Sequence, residues 1–275
     1  MFSIQLGILF FLICFYLLHF HLPIPTFSSL EDKIEKKELP PIVPKITFYT
    51  KEDTQEFIED DKDGFMKDLD QPNLLARTVS SVKEYQTIAR KAAADFTEKE
   101  KKRLTEAILS AVKVLQGISH RIDTKYGLDQ KRLETVLQTW NLAKTKDNVV
   151  EMGMPHTRQN VIFLSTLYLA KTDSNQKKLT ETMIHEIYHI YQRTYAKDYQ
   201  EFLIKAGWVV VPYNKTDKRI NPDLDNLVWK KGEKIYIARF AKAKPKDLKE
   251  ITTIEAKDEH PNEYYAYRLV EDLNL

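Results

Sequence analysis

The first 30 residues, Met1 to Leu30, contain no Asp, Glu, Lys or Arg, and Phe2 to Leu22 is dominated by Leu, Phe and Ile. A stretch of this kind has to be embedded rather than hydrated. As a helix rising about 1.5 Å per residue it spans roughly the 30 Å hydrocarbon core of a bilayer. The run exceeds the roughly 7–15 residues of a signal-peptide core and no basic segment precedes it, so residues 1–22 are expected to form an uncleaved single-pass transmembrane anchor. The competing reading is a secretory signal cut near Thr26-Phe27-Ser28. The side on which the rest of the chain lies stays open. Lys33, Lys36 and Lys37 point weakly to a cytosolic body, whereas the sequon Asn214-Lys215-Thr216 would suit a lumenal one.

Two proline clusters, Leu22-Pro23-Ile24-Pro25 and Leu39-Pro40-Pro41-Ile42-Val43-Pro44, bracket a charged segment and favour extended chain, so residues 23–45 are read as a stalk. The remainder, 46–275, is long enough for one hydrophobic core. Its composition agrees, because 43% hydrophobic and 30% charged residues describe a globular protein and not a disordered one. Basic and acidic residues number 42 and 40 and are interspersed, which argues against nucleic acid as a partner. The densest basic stretch, Lys99 to Arg103, alternates with Glu98, Glu100 and Glu106 and reads as a solvated helix face. The sole cysteine, Cys14, lies in the apolar N-terminus. A metal site in the body therefore has to be built from His, Asp and Glu.

Ser81 with Glu84, and Thr97 with Glu100, are spaced as helix-starting capping boxes, predicting helices over about 81–95 and 97–115. Glu59, Asp61, Asp63, Gly64 and Asp70 match five positions of a calcium loop, but Lys67 and the short Asp70 spoil it, and an acidic turn is the better reading. Stretches 160–169, 208–213 and 234–240 are β-branched and aromatic and are expected to be strands. Helices and strands do not alternate regularly, which predicts an α+β fold.

The chemistry concentrates in His185-Glu186-Ile187-Tyr188-His189, inside a helical stretch from about 178 to 195. Residues four apart stack on one helix face, so both imidazoles can bind one ion. Glu186, displaced by about 100° around the helix, can reach a metal-held water without ligating the metal itself. Met183, Ile184, Ile187, Tyr188, Ile190 and Tyr191 surround the polar trio, so the helix should be buried. Two imidazoles and a carboxylate in that setting are costly without a partner, and a cation supplies one.

Catalytic zinc normally takes three protein ligands and leaves one position open. Glu263 is the leading third candidate, in a helix beginning at Pro261 and running to Leu273, on the same stripe as Ala266 and Val270. Its alternative role is a first-turn carboxylate that complements the helix dipole. His260 and His156 are the fallback ligands. For the group that would stabilise a developing oxyanion, His156, His260, Tyr264 and Tyr267 all remain open.

The pentapeptide, followed by Asn262-Glu263 with Ala266 one turn on, resembles the gluzincin branch of the zincin metallopeptidases, mainly over the C-terminal half. The resemblance implies a zincin-like domain over 46–275, Zn2+ held by His185, His189 and Glu263, Glu186 as general base, and a peptide or protein substrate. It also implies an edge strand before the active-site helix on which the substrate pairs as an added strand, a place matched by Pro155-His156-Thr157-Arg158 leading into Val161-Ile162-Phe163-Leu164. The rival is a membrane-anchored binding or scaffold protein on the same fold that turns nothing over.

Overall fold

The computed structural model describes residues 40–118, 120–213, 215–253 and 258–275. The expected anchor of residues 1–22, the stalk up to residue 39 and Asn214 of the sequon lie outside the described residues. Among the described residues, no helix is long and apolar enough to cross a membrane.

In chain order the strands are β1 (Lys45–Phe48), β2 (Ala93–Ala94), β3 (Thr139–Thr145), β4 (His156–Arg158), β5 (Val161–Ser165), β6 (Trp208–Val211), β7 (Val228–Lys231), β8 (Lys234–Tyr236), β9 (Ala238–Phe240) and β10 (Ile251–Thr253). The helices are α1 (Lys51–Asp60), α2 (Gln71–Ala76), α3 (Val82–Ala92), α4 (Glu98–Gln116), α5 (His120–Tyr126), α6 (Gln130–Leu137), α7 (Thr166–Lys171), α8 (Gln176–Thr194), α9 (Ala196–Lys205) and α10 (Pro261–Leu273). The class is α+β, as expected.

The main sheet has the order β1-β3-β5-β4, with β2 against the end of β3. β1, β3 and β5 run parallel, while β4 is antiparallel to β5 and forms the edge. Successive residues face opposite sides of a sheet. Leu142, Ile162 and Leu164 therefore join a core with α4 and α8, whereas Ala143, Val161 and Phe163 join a second core with Ile58 of α1 and Tyr85 and Ala89 of α3. Helices thus cover both faces, and two small sheets, β6-β7-β8 and β9-β10, complete the C-terminal half.

Local chemistry sets most helix starts. Thr97 and Glu100 cap α4 reciprocally. At α3, Ser81 accepts from the Glu84 N–H as expected, but the Glu84 carboxylate accepts from Ser80 instead of Ser81. That helix ends at Ala92 because Ala93 and Ala94 are drawn into pairing with β3. Three strand expectations need correction. The run 160–169 is a strand only to Ser165, whose hydroxyl accepts from the Tyr168 N–H and starts α7. The run 208–213 pairs only through Val211. The run 234–240 breaks at Ile237 into β8, which pairs with β7, and β9, which pairs with β10. The compact body extends back to Pro41, with Ile42 packed on the core and its N–H on Gln116 Oε1, so residues 41–45 belong to the body rather than to the stalk.

The acidic turn after α1 holds a guanidinium. Arg158 Nη2 lies 2.5 Å from Asp61 Oδ1 and its Nε 3.0 Å from Asp63 Oδ2, which gives both carboxylates a permanent internal cation.

Candidate metal centre

Helix α8 starts with Asn175 as its cap and buries Leu179, Met183, Ile184 and Ile187 completely. Each such side chain contributes roughly 1.5–3 kcal/mol of burial. The helix is thereby held at a fixed rotation, and His185 and His189 project from its other face. Helix α10 packs against α8 through Ala266 and Leu269, both fully buried. One turn earlier than Ala266, the same packing delivers Glu263.

The three side chains converge. His185 Nε2 and His189 Nε2 are 3.0 Å apart, Glu263 Oε2 lies 3.3 Å from His185 Nε2, and Glu263 Oε1 lies 3.7 Å from His189 Nε2. Among the described residues this is the group of His, Cys, Asp and Glu side chains placed to hold a metal ion. Donor atoms about 2.0–2.1 Å from a tetrahedral zinc stand roughly 3.3 Å from one another, so the spacing fits. So does the donor chemistry, two imidazole nitrogens and a carboxylate. Among the described residues, neither Glu263 Oε2 nor one buried oxygen of Glu186 has a hydrogen-bond partner, and a nearby cation would relieve both.

Protonation agrees with that role. Burial holds the His189 imidazolium down, favouring the neutral ring. For Glu263, burial acts to raise the carboxyl, but positive charge on the facing His189 and His185 outweighs it and holds the group well below the usual carboxylate range, a pull that a cation held between the neutral rings would supply instead. Neutral imidazole and ionised carboxylate are the forms that bind a metal. Glu186 behaves oppositely: burial, then Asp223 and Glu263, push it well above the usual range.

Gln192, one turn after His189, is a residue of the candidate centre that the sequence reading missed. Its Nε2 donates to the Asn262 carbonyl, which can only accept, so its Oε1 is the atom that faces His189 Nδ1, at 2.9 Å. Nδ1 of His189 must then carry the proton, and Nε2 keeps its lone pair for a metal. The signal was available: Gln192 stands three residues after His189, on the neighbouring position of the same helix face.

The fallback ligands do other work. His260 caps α10, with Nδ1 accepting from the Asn262 N–H and Nε2 3.0 Å from Asp225 Oδ1. His156 turns to the sheet face away from α8, stacked at 5.1 Å on Phe163, with Nδ1 on the Met154 carbonyl. Tyr264 packs beneath Arg268, whose Cζ sits 3.5 Å from the ring centre. Of the four candidates for contact with a developing oxyanion, His156 and Tyr267 border the cleft, and Tyr267 is the one in ring contact with His185. It is half exposed, lies 4.8 Å from the His185 ring, and borders the same cleft as His185, Glu186 and Glu263. Burial and the neighbouring Glu263 and Glu186 raise its hydroxyl far above neutrality, so it keeps a proton to donate.

The cleft measures about 680 Å³. His185, Glu186 and Glu263 line it, and His189 is fully buried. Part of the cleft lining comes from the segment Arg219–Asp223, which no spacing argument had singled out.

Comparison with protein-family models, with curated proteins and with solved structures gives no match.

Proposed function

We propose that this chain is a zinc-dependent metallopeptidase with a zincin-like body, anchored to a membrane by residues 1–22. The observation that carries the reading is the convergence of His185, His189 and Glu263 at 3.0–3.7 Å with Glu186 beside them on the wall of an open cleft. His185, His189 and Glu263 would hold the ion. Bound there, zinc supplies Lewis acidity, polarising a carbonyl and lowering the pKa of water toward about 7.

The chain's own groups divide the rest of the reaction. Glu186 accepts a proton from the attacking water as the new C–O bond forms, and returns it to the nitrogen of the leaving amine as the C–N bond then breaks. Tyr267 donates its hydroxyl proton in a hydrogen bond to the carbonyl oxygen as negative charge develops there. Gln192 keeps the His189 ring in one tautomer and orientation throughout.

The test is metal content and turnover measured together on the full chain with a diverse peptide library. Wild type should bind one zinc per chain and cleave peptides. His185→Ala and Glu263→Ala should lose zinc and turnover together. Glu186→Gln should keep zinc and lose roughly 10²–10⁴-fold in turnover. No zinc after metal-replete purification sinks the proposal, and stoichiometric zinc without any turnover favours the scaffold reading.

A further inference from the structure

The edge of the main sheet beside the metal centre is β4, and an edge strand binds peptide only through the main-chain groups it turns outward. In the pairing with β5, His156 stands opposite Phe163, Thr157 opposite Ile162 and Arg158 opposite Val161. Outward-facing groups alternate along such a strand. The Thr157 N–H points outward, since it donates to Asp223 Oδ1 at 2.5 Å, and Pro155 shares its parity.

These outward groups are already spent. Pro155 has no N–H to offer. The Thr157 hydroxyl also donates to Asp223 Oδ1, at 2.8 Å, and the Thr157 carbonyl accepts from Arg193 Nη2 at 3.4 Å. Arg193 Nη1 donates to the Gln159 carbonyl at 2.7 Å, and Nη2 reaches the Pro222 carbonyl at 2.9 Å. Between Pro155 and Thr157 the edge keeps at most the Pro155 carbonyl. Asn221, Pro222 and Asp223 themselves line the cleft, in the place where an added strand would lie.

This covering segment is tied down from behind. The Ile220 N–H donates to Asn73 Oδ1 at 2.8 Å, and its carbonyl accepts from Arg77 Nη2 at 2.9 Å. Displacing it would break both of these bonds, to α2 and to the residue that caps its C-terminus.

We propose that the cleft takes its peptide through side-chain contacts and not by strand addition on β4, so that peptides with an N-substituted backbone, N-methylated or proline-rich, are substrates as good as unmodified ones. The proposal rests on the peptidase reading and departs from the edge pairing that the zincin resemblance implies. It also assigns Asp223 and Arg193, which both follow β4 in sequence and meet at Thr157, a shared role: they close the strand edge.

The experiment is an N-methyl scan of one cleaved library peptide, leaving the scissile nitrogen unmodified. Turnover is read on the zinc-loaded full chain, and the dissociation constant is read by fluorescence anisotropy on the full-chain Glu186→Gln variant. One main-chain hydrogen bond is worth up to about tenfold. Changes within about threefold at every position are expected. Losses of tenfold or more at alternating positions would overturn the proposal while leaving the peptidase reading intact. If no library peptide is bound or cleaved, both fall together.

Discussion

Replacing Glu151 by Gln should lower the thermal stability of the body by roughly 6–20 °C, and the reasoning runs entirely through one buried ion pair. Glu151 lies in the turn before β4, and its carboxylate receives Arg77 Nε and Nη2 at 2.7 Å each and the Tyr85 hydroxyl at 2.7 Å. The two charged side chains are 5% and 2% exposed. Gln has nearly the same shape, but it carries no charge, and its amide NH2 would face the donors of a guanidinium that cannot lose its proton. Removing one partner of such a pair costs about 3–5 kcal/mol. In a body of this size each kcal/mol moves the melting temperature by about 2–4 °C. The assay is thermal unfolding of the full chain by circular dichroism, from neutral pH downward. Burial acts to raise the Glu151 carboxyl, but Arg77 outweighs it and holds the group below the usual carboxylate range. Its stabilisation is therefore fully present above the unfolded value of about 4.3 and is lost as the pH falls through the folded one, so the two proteins should converge in acid. A fall of less than about 2 °C at pH 7, or a gap that widens as the pH drops, would refute the argument. Pairing Glu151→Leu with Arg77→Met should recover much of the loss, because no unpaired charge remains.

Gln192→Ala frees the His189 tautomer, and zinc affinity should weaken by roughly 10–100-fold with the fold retained, as read by competition with a fluorescent chelator. Unchanged affinity would show that the Gln192 contact does not tune the ligand. For the charge-free N-terminus, the full chain should stay in the membrane pellet after carbonate extraction. Quantitative release into the supernatant would favour a cleaved signal peptide.

What the sequence determined by itself is what short-range geometry dictates. Thr97 starts α4, Pro261 starts α10, and a four-residue spacing on one helix puts His185 and His189 at one point, because the period of 3.6 residues leaves no alternative once the helix forms. Glu263 was readable as a candidate, since an acidic residue on an inward stripe wants a partner. The docking of α10 on α8 is what brings it to 3.3 Å from His185. Other decisions belonged to tertiary structure alone. The acidic residues Asp61 and Asp63 look open to a cation until Arg158, 97 and 95 residues away in the chain, fills the turn. His156 looks available as a ligand until the alternation of β4 sends it to the face away from α8. Asp223 carries no local signal at all, and its role exists only because the segment before it is pinned to Asn73 and Arg77 and runs along the edge of β4. Local periodicity decides which side chains share a face. Which faces meet, and which strand edge stays open, depends on contacts between residues far apart in the chain, whose free energy appears only when the whole core assembles.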